Sequence, residues 1–264
     1  MLYTFYLSLT DWDMFTAPRF VGLSNFRRLS NDPVFHRSLL NNLKWMAVFI
    51  TIPIAAGLAL AMVLNRKVRG STFFKVSFFL PMVLSLVVAG LVWSWLYNPA
   101  YGLINVLLRT VGLPYLARGW LASANTAMES IIAVGVWRQV GYVMVFYLAG
   151  LQSVNQDLVD ASRVDGASSW KSFRHVVLPQ LAPITTVVIV ISIIDSLRVF
   201  ALVSVMTGGG PHNSSNVLAN YVYLTGFQWY QMGYAAAIAV VLFLLASVFI
   251  VFYLSRIAKE EDHA

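Results

Sequence analysis

The sequence predicts an all-α membrane protein, a bundle of helices that crosses a lipid bilayer several times. Of the 264 residues, 59% are hydrophobic and only 11% are charged, whereas about a quarter of the residues in a soluble domain are charged. Five apolar stretches reach the length of about 20 residues with which a helix crosses a bilayer. We therefore expect a single membrane domain, residues 1–264, with five full spans: Trp45–Leu64, Val76–Tyr97, Ser130–Leu151, Ile184–Met206 and Met232–Leu254.

A shorter apolar stretch precedes these spans. Met1–Leu9 ("MLYTFYLSL") is too short to cross a bilayer, and it has neither the basic start nor the small-residue cleavage site of a signal peptide. We interpret it as the second half of a short or truncated first membrane helix. Two of the full spans should bend, because Pro53 and Pro81 each remove a hydrogen bond from their helix.

Basic residues orient the spans, because positively charged links collect on the cytoplasmic side of a membrane. Three parts of the chain are basic in this way, namely the link with Arg66, Lys67, Arg69 and Lys75, the segment 152–183, and the tail with Arg256 and Lys259. They are predicted to be cytoplasmic, and the alternating links 10–44, 98–129 and 207–231 external. The first external link is an exception to the rule, since it contains Arg19, Arg27, Arg28, Arg37 and Lys44.

One cytoplasmic segment differs from the apolar runs on both sides. Val159–Leu181 ("VDASRVDGASSWKSFRHVVLPQL") is polar and compatible with helix. Asp157 and Asp160 suit the positive start of a helix, Gly166 suits a turn, and a serine after it can cap a second helix. Pro179 ends the pattern before the next span. We expect a short helix–turn–helix across the cytoplasmic face.

This segment resembles the signature loop of bacterial ABC-importer permeases, which reads Glu-Ala-Ala, three residues, Gly, nine residues and Ile-x-Leu-Pro. At the same spacing the chain has Asp160-Ala161-Ser162, then Gly166, and then Val176, Leu178 and Pro179, with Asp, Ser and Val replacing Glu, Ala and Ile. In that family the loop is the coupling helix, which docks in a cleft of the ATP-binding subunit. The resemblance implies that the ATPase-coupling residues are Asp160, Ala161, Ser162, Asp165, Gly166, Ala167, Leu178 and Pro179.

Further stretches extend the resemblance over nearly the whole chain. "LSLTDWDMFTAPRFVGLSNF", "FFLPMVLSLVVAGLVWSWLYNPAYGLIN" and "VMTGGGPHNSSNVLANYVY" resemble the maltose-type carbohydrate permeases, on the side of the first permease subunit. That family implies a helical bundle of the type I ABC importer permease kind in a bacterial inner membrane. It also implies a sugar or oligosaccharide as the solute, although glycerol-3-phosphate permeases share the pattern, so an importer of that solute or a related phosphodiester stays open.

The implied partners are a second homologous permease subunit, two ATP-binding subunits, an extracytoplasmic solute-binding protein and membrane lipid. The sequence lacks a Gly-x-x-x-x-Gly-Lys-Ser/Thr loop, so we expect no cofactor here and assign ATP and Mg²⁺ to the partner subunits. No metal or catalytic site is expected, and the chain is interpreted as a transport subunit, not an enzyme. A secondary transporter shares this hydropathy but does not need the signature loop.

Charged residues inside spans are costly and tend to face the bundle interior or a water-filled path. Six residues form the predicted substrate path: Arg138, Asp195 and Arg198, with Gln139, Tyr142 and Ser196 beside them as hydrogen-bonding groups suited to sugar hydroxyls. In the resembling permeases the helices on both sides of the coupling loop line the path. The alternative, that these charges only lock helices together, stays open, since Asp195 and Arg198 are spaced to pair on one helix.

Overall fold

The computed structural model describes residues 1–66 and 69–261, and within them the all-α prediction is confirmed. Two short strands, β1 (Thr10–Asp11) and β2 (Arg19–Phe20), pair antiparallel. The α-helices in chain order are α1 (Leu2–Ser8), α2 (Ser24–Leu29), α3 (Pro33–Phe49), α4 (Ile52–Leu64), α5 (Ser71–Val83), α6 (Leu86–Leu96), α7 (Leu103–Thr110), α8 (Ala127–Gln152), α9 (Gln156–Val164), α10 (Ser169–Ser172), α11 (Leu178–Gln180), α12 (Ala182–Leu197), α13 (Ala201–Met206), α14 (Leu218–Tyr223) and α15 (Met232–Glu261). Lys67 and the side chains of Arg256 and Lys259 lie outside the described part of the chain.

The chain folds as two compact units. The first unit comprises Met1–Met46, Leu86–Val134 and the residues from Ile194 onward, and the second comprises Ala47–Ser85 and Gly135–Ile193. Each has its own apolar core. Leu218, Ala237 and Ile238 are fully buried in the first, and Val143, Met144 and Leu181 are fully buried in the second.

Helices long and apolar enough to cross a membrane account for much of the described chain. Three qualify alone by length and composition, namely Pro33–Leu64, Ala127–Gln152 and Met232–Val251. Two interrupted pairs qualify only when their halves are taken together, α5 with α6 and Ser169–Gln180 with α12. If each pair is one span, the number of spans reaches five.

Two of the predicted spans differ from the helices of the structure, one in where it begins and one in being interrupted. The helical stretch that contains Trp45–Leu64 begins earlier, at Pro33, because Asp32 caps it, and the Asp32 Oδ1 accepts a hydrogen bond from the Val34 N–H at 2.8 Å. The predicted span Ile184–Met206 is not one helix. Instead, α12 ends at Leu197, and Phe200, at φ −143° and ψ −58°, precedes α13.

Both prolines that were expected to bend spans lie near interruptions. Pro53 stands in the first turn of α4, where its missing N–H has no intrahelical partner to lose. Pro81 lies inside α5, which continues to Val83 and ends because Leu84 is extended, at φ −67° and ψ 139°. The break between α5 and α6 therefore comes after Pro81 and not at it.

Glycines let the helices of the second unit pack closely. A Cβ atom added to Gly57 of α4 would lie 2.6 Å from Val143 Cγ1 of α8, and one added to Gly141 of α8 would lie 1.8 Å from the Phe78 carbonyl oxygen of α5. Small residues at such contacts are typical of membrane helices, whose association depends on close backbone approach.

Candidate functional site: the coupling segment and the predicted path

The coupling segment, residues 152–183, lies in the second unit and folds as a helix–turn–helix. α9 begins after Asn155, whose side-chain oxygen accepts a hydrogen bond from the Asp157 N–H at 2.9 Å. The Gln180 side chain accepts from the Asn155 N–H at 2.9 Å and so ties the two ends of the segment together. Asp157 lies in the first turn of α9 as expected, but the cap itself, Asn155, was missed.

The turn after α9 is a Schellman motif centred on Gly166. The Gly166 N–H donates to the Arg163 carbonyl at 3.0 Å, and the Ala167 N–H donates to the Ser162 carbonyl at 2.9 Å. Gly166 has φ of +80°, a left-handed conformation that residues with a Cβ atom adopt at a cost. A Cβ atom there would meet nothing within 4 Å in the described part of this chain, so only the backbone requires glycine.

A pair of serines joins the two arms of the segment. Ser168 caps α10 by accepting from the Lys171 N–H at 3.4 Å. The hydroxyl oxygens of Ser162 on α9 and Ser172 on α10 lie 2.7 Å apart. Ser162 is the position at which the signature loop has Ala, so this departure from the motif adds a bond between the arms.

The other signature residues occupy the outer side and the far end of the segment. The Asp160 carboxylate pairs with the Arg163 guanidinium at 2.8 Å on the exposed surface of α9. Ala161 and Asp165 are also exposed, and Ala167 is half-buried. Pro179 does not end the helical pattern as expected, because it stands in the first turn of α11, beside exposed Leu178, and the chain then bends by 66° into α12.

Large apolar side chains are exposed on the coupling segment. Leu158, Val164 and Trp170 are 52%, 88% and 65% exposed, while Val159, on the same helix as the first two, is buried in the core of the second unit. Next to Trp170 a cleft of about 420 Å³ opens towards the end of α4, with Arg66 and Arg163 at its edge. These side chains give the otherwise polar segment exposed apolar surface.

Three residues of the predicted path lie on α8, in the second unit. The Arg138 guanidinium donates from Nη2 to the Met82 carbonyl at 3.2 Å, one of the last carbonyls of α5 that helical bonding leaves unpaired. Gln139 is 2% exposed, and its Nε2 has no hydrogen-bond partner in the described part of the chain. Tyr142 is half-buried, and its ring packs edge-on against Phe146 at 4.8 Å.

The other three path residues lie at the end of α12, in the first unit. Asp195 and Arg198 are exposed, whereas Ser196 is fully buried. The Ser196 carbonyl accepts a hydrogen bond from the side chain of Asn42 at 3.0 Å, and the Asn42 oxygen accepts from the Leu218 N–H at 2.8 Å. The six path residues are thus divided three and three between the two units. Asn42, which fixes the end of α12, was missed because its partners are 154 and 176 positions away.

The glycine-rich loop of link 207–231 folds as a hydrogen-bonded turn. The Ser215 hydroxyl donates to the Gly210 carbonyl at 2.6 Å and lies 2.8 Å from the Thr207 hydroxyl. From α3, the Asn41 side chain donates to the carbonyls of Ser214 and Asn216 at 2.9 and 2.8 Å. The loop is therefore held by an amide next to Asn42 in the chain.

Known proteins are similar to this chain over most of its length. Residues 45–259 match the family described as binding-protein-dependent transport system inner membrane component. The probable ABC transporter permease protein YurN of Bacillus subtilis is 39% identical over 243 residues, which are 91% of this chain and 83% of the relative. The probable starch degradation products transport system permease protein AmyD of Thermoanaerobacterium thermosulfurigenes is 34% identical, over 97% of this chain and 86% of the relative.

A solved structure shares the fold. It is that of a bacterial alginate ABC transporter in complex with an alginate pentasaccharide-bound periplasmic protein, and its similar chain is 24% identical, with a TM-score of 0.79 over 88% of this chain and 81% of that one. The ATPase activity of such transporters belongs to separate subunits. With its signature loop, its apolar helices and these matches, the chain belongs to the family of inner-membrane components of binding-protein-dependent transport systems, the multi-pass permease subunits of ABC transporters.

Proposed function

We propose that this permease carries a sugar or an oligosaccharide into the cell and that residues 152–183 pass the motion of an ATPase subunit to the path. The observation that carries the proposal is the construction of the segment. It has a tight Gly166 turn, arms joined by Ser162 and Ser172, and an exposed Trp170. A rigid element with exposed apolar side chains suits a segment that docks in a partner and transmits force.

The assembly that we propose has three kinds of protein partner besides lipid. A second homologous permease completes the path, two ATP-binding subunits dock on the cytoplasmic face and hold ATP and Mg²⁺, and a solute-binding protein delivers the solute to the outer face. The membrane is the cytoplasmic, or inner, membrane of the cell. The structure of the similar alginate transporter, which contains a periplasmic protein, supports the solute-binding protein as a partner.

A sugar is the favoured solute for two reasons. AmyD is named for starch degradation products, and the predicted path residues are rich in neutral hydrogen-bonding groups. Gln139 has a buried amide nitrogen with no partner in the described residues, and such a group is satisfied when a ligand hydroxyl accepts from it. Tyr142 and Ser196 add hydroxyls to the set, and Arg138, Asp195 and Arg198 supply its charges.

Reconstitution tests this proposal directly. The four-subunit complex in liposomes, with the solute-binding protein outside and ATP inside, should accumulate radiolabelled maltodextrin or another oligosaccharide. Uptake should stop without ATP, without binding protein, or with an ATPase subunit that cannot hydrolyse ATP. Uptake that persists without the ATPase subunits would identify a secondary transporter and contradict the proposal, and uptake of glycerol-3-phosphate alone would overturn the sugar assignment.

A further inference from the structure

The three links that the sequence places outside the membrane meet at one cleft of the first unit. Arg37 comes from link 10–44, Ala124 from link 98–129, and His212, Asn213 and Ser214 from link 207–231. The cleft encloses about 490 Å³. It therefore joins parts of the chain that are far apart in sequence but share one predicted side of the membrane.

Arg37 gives the cleft its positive charge, and the acid that precedes it most closely in the sequence, Asp32, is bonded to other groups. The Asp32 carboxylate accepts hydrogen bonds from Tyr221 and Tyr234 and from the Val34 N–H. Burial opposes its ionisation, but these hydrogen bonds outweigh burial and hold the pKa of Asp32 below its ordinary value. Asp32 is thus charged but fully engaged, and the Arg37 side chain is exposed.

The loop that forms the other wall has the features of a binding surface. His212 and Asn213 take φ of +51° and +59°, a conformation that costs energy for residues with a Cβ atom and often marks functional positions. Ser214 is 4% exposed, and its hydroxyl has no hydrogen-bond partner in the described part of the chain. The Ser214 hydroxyl lies below the surface, so the exposed His212 and the half-buried Asn213 are the polar side chains that this loop offers to a partner.

The basic residues that are an exception to the orientation rule lie in the same link as Arg37, which alone among them lines the cleft. The three external links together contain seven basic and four acidic residues, although external links are normally poor in basic residues. An excess of positive charge on the outer face attracts an acidic partner and raises its rate of association. A membrane surface is a poorer candidate, because anionic lipid is richest on the cytoplasmic side.

We propose that the cleft of Arg37, His212, Asn213 and Ser214 is a docking point for the solute-binding protein and receives a carboxylate from its surface. The inference rests on the proposed function, which places a binding protein against this face. Arg37 provides the charge, and the polar groups of the loop provide hydrogen-bond donors around it. Because Arg37 is exposed, its contribution should depend on ionic strength.

The test compares variants of the complete complex in lipid nanodiscs, with the fluorescently labelled solute-binding protein of the same transporter as the probe. Arg37→Gln should weaken its binding roughly tenfold at low salt and reduce the salt dependence of binding, as expected when a guiding charge is lost. Arg37→Lys should restore most of the affinity, because it keeps the charge. Arg27→Gln is the matched control, since Arg27 is an exposed arginine of the same link that does not line the cleft.

Each outcome decides the proposal. Equal losses in Arg37→Gln and Arg27→Gln would mean that only diffuse charge matters and would overturn the docking point, as would unchanged binding in both. Normal binding with reduced uptake in Arg37→Gln would assign the cleft to the solute. If the wild-type complex neither bound the protein nor took up sugar, the proposed function would fail and this inference with it.

Discussion

The hydroxyl oxygens of Ser162 and Ser172 lie 2.7 Å apart, and the direction of their hydrogen bond follows from a third group. The Ser162 hydroxyl also donates to the Val159 carbonyl at 2.7 Å. Because a serine hydroxyl has one proton to donate, Ser172 must be the donor in the pair. The two serines are therefore unequal partners, although they look symmetric.

This asymmetry predicts unequal effects of removing them. Ser162→Ala leaves the buried Ser172 hydroxyl without its acceptor, which costs about 1–3 kcal/mol, whereas Ser172→Ala leaves the Ser162 donor bond to Val159 in place and should cost less. Hydrogen exchange of the amides in residues 156–181 of the assembled complex measures the difference. We expect exchange to increase most in Ser162→Ala, while the double variant should resemble Ser172→Ala. Equal effects of both single changes would contradict the assigned direction.

Substitutions at Gly166 can distinguish the cost of the left-handed backbone from the effect of a side chain on the ATPase subunit. Alanine at φ of +80° should destabilise the turn by about 1–2 kcal/mol, and asparagine, which tolerates this region, by less. Gly166→Asp should in addition weaken binding of the ATPase subunits or uncouple ATP hydrolysis from uptake, because the space beside Gly166 is open in this chain and the proposed partner fills it.

Gly112 provides the control for this change. It has φ of +79° and equally open surroundings, and it belongs to link 98–129, outside residues 152–183. Gly112→Asp should therefore bear a similar backbone cost without affecting the ratio of ATP hydrolysed to solute transported. Membrane insertion, subunit co-purification, basal ATPase rate and uptake are measured for both variants. Normal values of all four in Gly166→Asp would remove the segment from the coupling mechanism.

Two glycines of α8 should differ in their tolerance of alanine. At Gly141 the added Cβ atom meets the backbone oxygen of Phe78 at 1.8 Å, whereas at Gly150 its nearest neighbour is the Ile184 side-chain atom Cγ1 at 2.9 Å. A side chain can move to another rotamer, but a helix backbone must shift as a whole, so Gly141→Ala should cost more than the about 1–3 kcal/mol of ordinary overpacking. The yield and melting temperature of the purified complex should fall much further in Gly141→Ala. The reverse order would mean that α5 and α8 are not packed this closely.

Much of this architecture follows from local sequence, and the rest depends on contacts between distant residues. Apolar runs locate the membrane helices, and the spacing around Gly166 predicts its turn, because both signals lie within a few residues. The interruption at Leu84 carries no comparable signal, since Pro81 is accommodated inside α5. The bonds of Asn42 join positions that only the folded chain brings together, so no pattern near that residue indicates its role.

A substitution of Arg138 distinguishes a role in the solute path from a role in holding the helices together. Arg138→Ala removes the hydrogen bond to the Met82 carbonyl and a charge from the predicted path. If the path includes Arg138, uptake should fall at least tenfold while the complex still assembles, and Asp195→Ala should do the same. Failure of either variant to assemble would support the alternative of helix locking, and normal uptake in both would exclude the two residues from the mechanism.

Asn42 should control the end of α12, and its neighbour Asn41 should not. The Asn42 side chain donates to the Ser196 carbonyl and accepts from the Leu218 N–H, so one buried amide joins the end of α12 to the start of α14. Asn42→Ala removes both hydrogen bonds, and the buried Leu218 N–H then loses its acceptor at a cost of about 1–3 kcal/mol. Asn42→Asp keeps the acceptor for Leu218 but replaces the donor to Ser196 by a buried carboxylate oxygen that faces the Ser196 carbonyl.

Both Asn42 variants should therefore raise the solute concentration that gives half-maximal uptake, because Ser196 and Asp195 lose their fixed position. Both variants should also lower the melting temperature, Asn42→Ala because it removes two hydrogen bonds and Asn42→Asp because it buries a carboxylate. Asn41→Ala is the matched control, since the Asn41 side chain donates to the loop carbonyls of Ser214 and Asn216 and not to α12. Asn41→Ala should weaken docking of the binding protein. At saturating binding protein, however, the solute concentration that gives half-maximal uptake should not change. If Asn41→Ala and Asn42→Asp changed that concentration equally, the position of Ser196 would not be what Asn42 controls.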